Sequence, residues 1–229
     1  MSTSISAPVL AAFAPRRNMR EEIIETLRGA VISGELRPGQ VHSAPVLAEQ
    51  FGVSPTPVRE AMIDLAKEGL IEVVRNKGFR VRELSEEELD NLTALRRLIE
   101  VPTVRRIAEV GAPTEALEAL RPLALGIEKA AVEGDLIAHV TIDLEFHSGL
   151  LALSGNPQLV ETVRSLRARS RIYGLKTLAE RGDLIPSSHE HAELLDLIAA
   201  HDADGAEDLM RRHIGHVRGI WADKDSDPT

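Results

Sequence analysis

At 229 residues and 43% apolar side chains, the chain is long enough for one large or two small cores, and with no cysteine it excludes disulfide scaffolds, iron–sulfur clusters, thiolate zinc and cysteine nucleophiles. No apolar run reaches the roughly 18 residues needed to span a bilayer and no secretory pattern opens the chain, so a cytoplasmic protein without membrane contact is expected. The net charge of −9 is uneven: residues 1–82 carry eleven Lys and Arg against nine Asp and Glu, residues 83–229 sixteen against twenty-seven, which fits a small polyanion-reading module joined to an acidic domain with another task.

In chain order, residues 1–18 mix Ser, Ala and Pro without period and are expected to form a disordered arm. Ile23, Ile24, Leu27, Ala30 and Val31 recur at helical spacing, and Gly34, Pro38 and Gly39 end that element. Ser43 can cap a short helix over residues 46–51. Gly52 supplies a turn, and Thr56 caps a helix that starts at Pro57 and runs to Glu68. Leu70–Val74 and Phe79–Val81 flank Arg75-Asn76-Lys77-Gly78 and read as a hairpin with a basic tip. The order is helix, helix-turn-helix, wing, over residues 19–83.

From Ser85 onward only helical periodicity is found, opening on a capping box at Ser85 and Glu88. Helices are expected at about 86–110, 114–132, 135–154, 157–180, 188–201 and 204–221, with a kink at Pro102 or an end there. Connections this short imply antiparallel neighbours, so residues 86–222 are expected to form an all-α antiparallel bundle.

Two constellations carry chemistry. In the first, small Ala48, turn-forming Gly52 and branched Val58 suit the close crossing of two helices. The outward face of the second helix then begins Ser54, Thr56, Arg59, its N-terminal N–H groups favouring a phosphate and Arg59 placed for a base edge. Arg75, Lys77, Arg80 and Arg82 of the hairpin add cations for backbone phosphates. A merely solvated pair of basic helices explains the charges but not the order of small residue, turn glycine, branched residue and basic tip.

The second constellation begins with Asp143 and His147, four apart on one helix face. The turn at Asp202-Ala203-Asp204 lies midway between His191 and His213, so a helix hairpin brings both to one height. Three histidines and a carboxylate make a nitrogen-and-oxygen site for a divalent ion, zinc foremost, with nickel, manganese and iron as alternatives. His139, His189, His201 and His216 lack such an argument and are read as surface residues. Arg96, at the edge of the stripe Leu92, Leu95, Ile99, Thr103, is placed for a two-pronged bond to a ligand carboxylate. Ser170 and Tyr173 at the polar end of another inward stripe, with neighbouring Arg169, complete the candidate effector residues. Arg164, Arg167 and Arg171 are read as solvent-facing.

The run Leu47-Ala48-Glu49-Gln50-Phe51-Gly52-Val53-Ser54, then Thr56-Pro57-Val58-Arg59-Glu60-Ala61-Met62, Glu68-Gly69-Leu70 and Gly78-Phe79-Arg80-Val81, resembles the N-terminal domain of GntR-family transcription regulators over residues 20–82. The segments Asp143-Leu144-Glu145-Phe146-His147, Ser154-Gly155-Asn156-Pro157, Glu190-His191 and Met210-Arg211-Arg212-His213 resemble the FCD ligand-binding domain of the FadR branch over about residues 86–221. The resemblance implies a homodimer on double-stranded operator DNA, and a divalent metal on Asp143, His147, His191 and His213 whose coordination an organic acid completes. Pro45 and Pro55 stand where such proteins often carry base-choosing arginines, so no operator sequence carries over. A transcription regulator, most simply a repressor, is therefore expected and no enzyme. A dedicated metal sensor, and then a metal-dependent hydrolase, are the alternatives.

Overall fold

The computed structural model describes residues 19–171, 179 and 182–222; the expected arm, Tyr173 and the end of the helix expected to reach residue 180 lie outside the described residues. The N-terminal part runs α1 (Met19–Ser33), β1 (Val41–His42), α2 (Ala44–Phe51), α3 (Pro55–Lys67), β2 (Ile71–Val74) and β3 (Gly78–Val81). Then follow α4 (Glu86–Val110), α5 (Thr114–Glu133), α6 (Leu136–Ala152), α7 (Pro157–Arg171), α8 (Leu184–Ala199) and α9 (Ala203–Ala222). This is a winged helix-turn-helix followed by an antiparallel helical bundle.

Three local rules shape the winged part. Gly52 ends α2 in the left-handed region at φ 65°, where a side chain is disfavoured, and the next N–H, of Val53, returns to the carbonyl of Ala48 at 3.0 Å. Helix α3 begins at Pro55 with Ser54 before it, two residues earlier than the expected start at Pro57 capped by Thr56. Proline fits anywhere in a first turn, because those N–H groups have no acceptor within the helix. The sheet has a third strand that the sequence pattern does not announce: two-residue β1 pairs antiparallel with β3, giving the order β1-β3-β2.

In the bundle, the Ser85 cap forms as expected, the N–H of Glu88 donating to Ser85 Oγ at 3.2 Å and the N–H of Ser85 to Glu88 Oε2 at 3.0 Å. Helix α4 continues through Pro102 instead of ending there. Pro102 is exposed, so the bond it cannot give to the carbonyl of Leu98 is lost on the wet side. Helix α8 begins at Leu184 and not at residue 188, with Pro186 tolerated in its first turn.

The winged core of Leu27, Leu47, Ala48, Val58, Met62, Leu65 and Phe79 is continuous with Ala131 of α5, Val140 of α6 and Leu184 of α8, so the two parts share apolar packing. Gly29 of α1 allows this approach: a Cβ there would stand 2.6 Å from Ile137 Cδ1 of α6. The bundle has its own core around Ile127, Phe146, Leu150, Leu195, Met210 and Ile214.

Candidate nucleic-acid interface and metal centre

On α3, Val58, Ala61, Met62 and Leu65 are buried while Ser54, Thr56, Arg59 and Glu60 are exposed on the opposite side. The Ser54 side chain makes no capping bond, and since Pro55 and Pro57 carry no N–H, Thr56 offers the one backbone donor among the first three residues of α3 toward a phosphate. The wing tip turns at Asn76, φ 62°, with the N–H of Lys77 donating to the carbonyl of Val74 at 3.0 Å. Gly78 next to it, at φ 126°, has no room for a side chain, because a Cβ would collide with the carbonyl of His42 on β1. Arg75 and Lys77 project from this tip into solvent; Arg80 is exposed too but pairs across the strands with Glu72 at 2.9 Å. Arg82 pairs with Glu88 at 3.0 Å.

The four metal-ligand candidates converge. Asp143 and His147 lie on the inner face of α6, His191 on α8 and His213 on α9, all buried, with one ligand atom from each lying within 4.8 Å of the others. His147 Nε2 is 3.2 Å from Nε2 of His191 and 3.2 Å from Nε2 of His213, and Asp143 Oδ1 is 3.0 Å from His191 Nε2. Nitrogens about 2.0–2.1 Å from one tetrahedral ion stand about 3.3 Å apart, the spacing these atoms already have.

Hydrogen bonding tests whether a cation belongs there. His191 Nδ1–H donates to the carbonyl of Ser188 at 2.9 Å, and His213 Nδ1–H donates to Glu190 Oε2 at 2.9 Å. Neutral imidazoles holding their proton on Nδ1 present a bare lone pair at Nε2. Nε2 of both rings and an Asp143 oxygen thus converge around Nε2 of His147. Four ligand atoms converging on one buried point, two of them on rings held through Nδ1, suit a cation. Burial first, and the charge of Arg167 second, hold His147 well below its usual pKa of 6.5, so this imidazole is neutral and competent to bind an ion. Phe146 wedges the rings in place, its centroid 5.1 Å from His147 and 4.9 Å from His191, both edge-on.

Sequence reasoning missed the groups around this quartet. Glu190 orients His213 and also accepts from Arg212 at 2.9 Å and His216 at 3.1 Å. Burial pushes its carboxyl upward, but these hydrogen bonds outweigh it and leave Glu190 well below the usual carboxylate range. Arg167, expected in solvent, is buried and bonds Glu100 through Nε at 2.8 Å and through Nη2, while its Nη1 reaches Asp143 Oδ2 at 3.3 Å. Its neighbour Glu100 is equally buried; desolvation raises its pKa, and the charges of Arg167 and Arg96 overcome that and hold it low. Of the remaining histidines, His139 is also buried, with Nδ1 3.3 Å from the carbonyl of Ile127, because the start of α6 lies against α5. His201 Nδ1 stands 3.1 Å from the carbonyl of Ala108, His189 is exposed beside Glu128, and His216 is half-buried.

The expected effector residues separate. Arg96 is fully buried, not at an edge: Nε donates to Glu100 Oε1 at 2.7 Å, Nη1 to Ser170 Oγ at 3.3 Å, and Nη2 has no partner among the described residues. Its i,i+4 pairing with Glu100 ties up one side of the fork, so one open donor replaces the two-pronged grip expected from sequence. Ser170 is buried beside it. Arg169 points elsewhere, its stem packed against Gly69 of the winged part. Tyr173 and the side chain of Arg171 lie outside the described residues.

A family model for bacterial regulatory proteins of the gntR family matches residues 19–81, and one for the FCD domain matches residues 91–216. The Nta operon transcriptional regulator of Aminobacter aminovorans is 33% identical over 186 residues, 80% of this chain and 85% of that one. The transcriptional repressor RspR of Escherichia coli is 24% identical over 209 residues, 89% of each. Among solved structures, E. coli McbR/YncC matches 92% of this chain and 100% of its own with a TM-score of 0.73 at 24% identity, which shows the shared fold.

Proposed function

The chain belongs to the GntR family of bacterial regulatory proteins and carries an FCD domain, so it is a DNA-binding transcription regulator, and from that premise we propose a cytoplasmic homodimeric repressor whose operator affinity is set by a small organic acid held beside a divalent ion in the bundle. One observation carries the ligand half of this reading: a buried quartet of converging ligand atoms lies in the same hydrogen-bonded network as a buried guanidinium with an open N–H. Asp143, His147, His191 and His213 would hold the ion, zinc foremost and nickel, manganese or iron compatible, and it would supply a Lewis-acidic seat for a carboxylate oxygen.

The chain's own residues do the rest. Arg96 Nη2 gives the anion a charged donor and Ser170 fixes that guanidinium. Arg167 positions Asp143, and Glu190 positions His213. An open donor on Arg96 favours an anionic signal over the cation alone, since a site read only by metal has no use for it. Repression is supported by relatives such as RspR. Arg59, Ser54 and Thr56 on α3 and Arg75, Lys77 and Arg80 on the wing would meet the operator.

The ligand-bearing helices also reach the winged part. Helix α6 carries Val140 in the winged core less than one turn before Asp143, α7 carries Arg169 against Gly69 two residues after Arg167, and α8 carries Leu184 two turns before His191. An acid that binds the two docking arrangements with different affinity therefore shifts the winged domains directly.

Metal analysis of protein dialysed against zinc should give about one ion per chain, falling well below that in His191→Ala/His213→Ala. DNA fragments selected by the purified protein should then lose affinity on adding one member of a panel of small organic acids, and Arg96→Met should abolish that response while keeping the ion. Full metal occupancy in the double variant, or an acid response untouched by Arg96→Met, overturns the reading.

A further inference from the structure

The outward ridge of α3 carries one large side chain that the operator contacts named above leave unused. Around this helix Val58, Ala61, Met62 and Leu65 turn inward. At about 100° per residue, Thr56, Glu60, Ile63 and Lys67 lie within about 30° of the direction opposite that buried face, and Arg59 flanks them on the Ile63 side. Ile63 is 45% exposed.

A lone exposed apolar side chain is ordinary on a protein surface. This one is set apart by its place, one turn after Arg59 and two turns after Thr56 on the same side of the helix. Lys67, the last member of the ridge, is already paired with Asp64 at 3.0 Å, so beyond Arg59 and Glu60 the ridge offers an apolar group in place of a free charge. The other large apolar residues exposed on the winged part, Val41, Val46 and Val73, belong to β1, α2 and β2 and not to this ridge.

We propose that Ile63 is a base-reading residue that packs on the 5-methyl group of a thymine in each operator half-site. The proposal rests on the reading of α3 as the element that meets DNA, and adds the identity of one base it prefers.

The chemistry of the side chain selects this partner. Ile63 has neither charge nor donor, so it has nothing to offer a phosphate. Among the base-edge features of the major groove, the thymine methyl is the apolar one, and side chains recognise it by contact. Branching at Cβ holds an isoleucine in a helix to one preferred χ1 rotamer, so little freedom is lost when it docks. Ile63 follows Arg59 by four residues, about 6 Å along the helix axis, while base pairs stack about 3.4 Å apart. A helix lying along the groove therefore sets the thymine within about two base pairs of the base that Arg59 reads.

Replacing thymine with deoxyuridine deletes the 5-methyl group and leaves every hydrogen-bonding group of the base in place. The probe is DNA selected by the purified chain, with each thymine of a half-site replaced in turn. For the wild type, one such replacement, within two base pairs of the position whose preference Arg59→Ala relaxes, should weaken binding about three- to fivefold, the equivalent of one buried methyl group. Ile63→Ala should bind the thymine operator more weakly by a similar factor and be indifferent to deoxyuridine at that position, with circular dichroism and affinity for unrelated DNA unchanged. Ile63→Val, still branched and apolar, should keep the sensitivity. A wild type indifferent to demethylation at every thymine, a half-site without thymine in that window, or an Ile63→Ala variant as sensitive as wild type overturns the assignment of Ile63. Failure of the chain to select any DNA, or an Arg59→Ala variant with unchanged base preference, overturns instead the placement of α3 in the groove.

Discussion

Replacing Arg167 with methionine should cost the metal-free bundle about 3–5 kcal/mol, the range seen when one partner of a buried ion pair is removed. The guanidinium serves two buried carboxylates at once, Glu100 through Nε and Nη2 and Asp143 through Nη1. Methionine fills much of the volume, so cavity formation is a minor term. Glu100 retains Arg96 Nε at 2.7 Å, whereas Asp143 is left beside the lone pair of His191 Nε2. Against a total stability of about 5–15 kcal/mol, and with a urea slope of about 2 kcal/mol per molar, the unfolding midpoint should fall by about 1.5–2.5 M. The assay is urea unfolding followed by circular dichroism in chelator, repeated in saturating zinc. Zinc should restore part of the loss, because its charge takes over the neutralisation of Asp143. Arg211→Met, which breaks only an exposed pair with Glu207, is the control and should shift the midpoint by less than about 0.5 M. A drop for Arg167→Met no larger than this control would refute the account of a charge network that the ligand site depends on.

Two further outcomes follow from geometry already described. Arg59→Ala should weaken binding to a selected operator by about 1–3 kcal/mol and relax preference at one base position, whereas Lys77→Ala should weaken all sequences alike and lower the salt slope by about one; equal effects of both on sequence preference would remove Arg59 from the base-reading role. His147 is held well below its ordinary pKa of 6.5, mainly by burial, so the unfolded chain binds more protons than the folded one as acid is added. Metal-free protein should accordingly lose stability as pH falls below about 6.5, and thermal unfolding at pH 7.5 and 5.5 should show a smaller loss in His147→Leu; an unchanged difference would place the acid sensitivity elsewhere.

How much of this was legible depended on whether a signal was local. Ala48, Gly52 and Val58 could be read because each answers a steric demand of one helix crossing, and the height match of His191 and His213 followed from a turn midway between them. The pairs Arg96–Glu100 and Arg167–Glu100 were hidden because a charged side chain at a buried helical phase looks like an irregular edge of the apolar stripe. A clue existed: Leu89, Leu92, Arg96, Glu100, Val104 and Ile107 keep strict helical phase, with two opposite charges at i and i+4 inside it. Strand β1 was not legible at all, since two residues carry no alternation and only pairing with β3 defines them. The role of Arg169 depended on which domain α7 leans toward, which no single segment encodes.

The apolar packing shared between the winged core and Ala131, Val140 and Leu184 has a consequence for how such a protein evolves. A winged module transplanted onto an unrelated sensor would leave these greasy surfaces bare on both fragments. Recombination that preserves solubility has to move the matching patches of α5, α6 and α8 together with the reader.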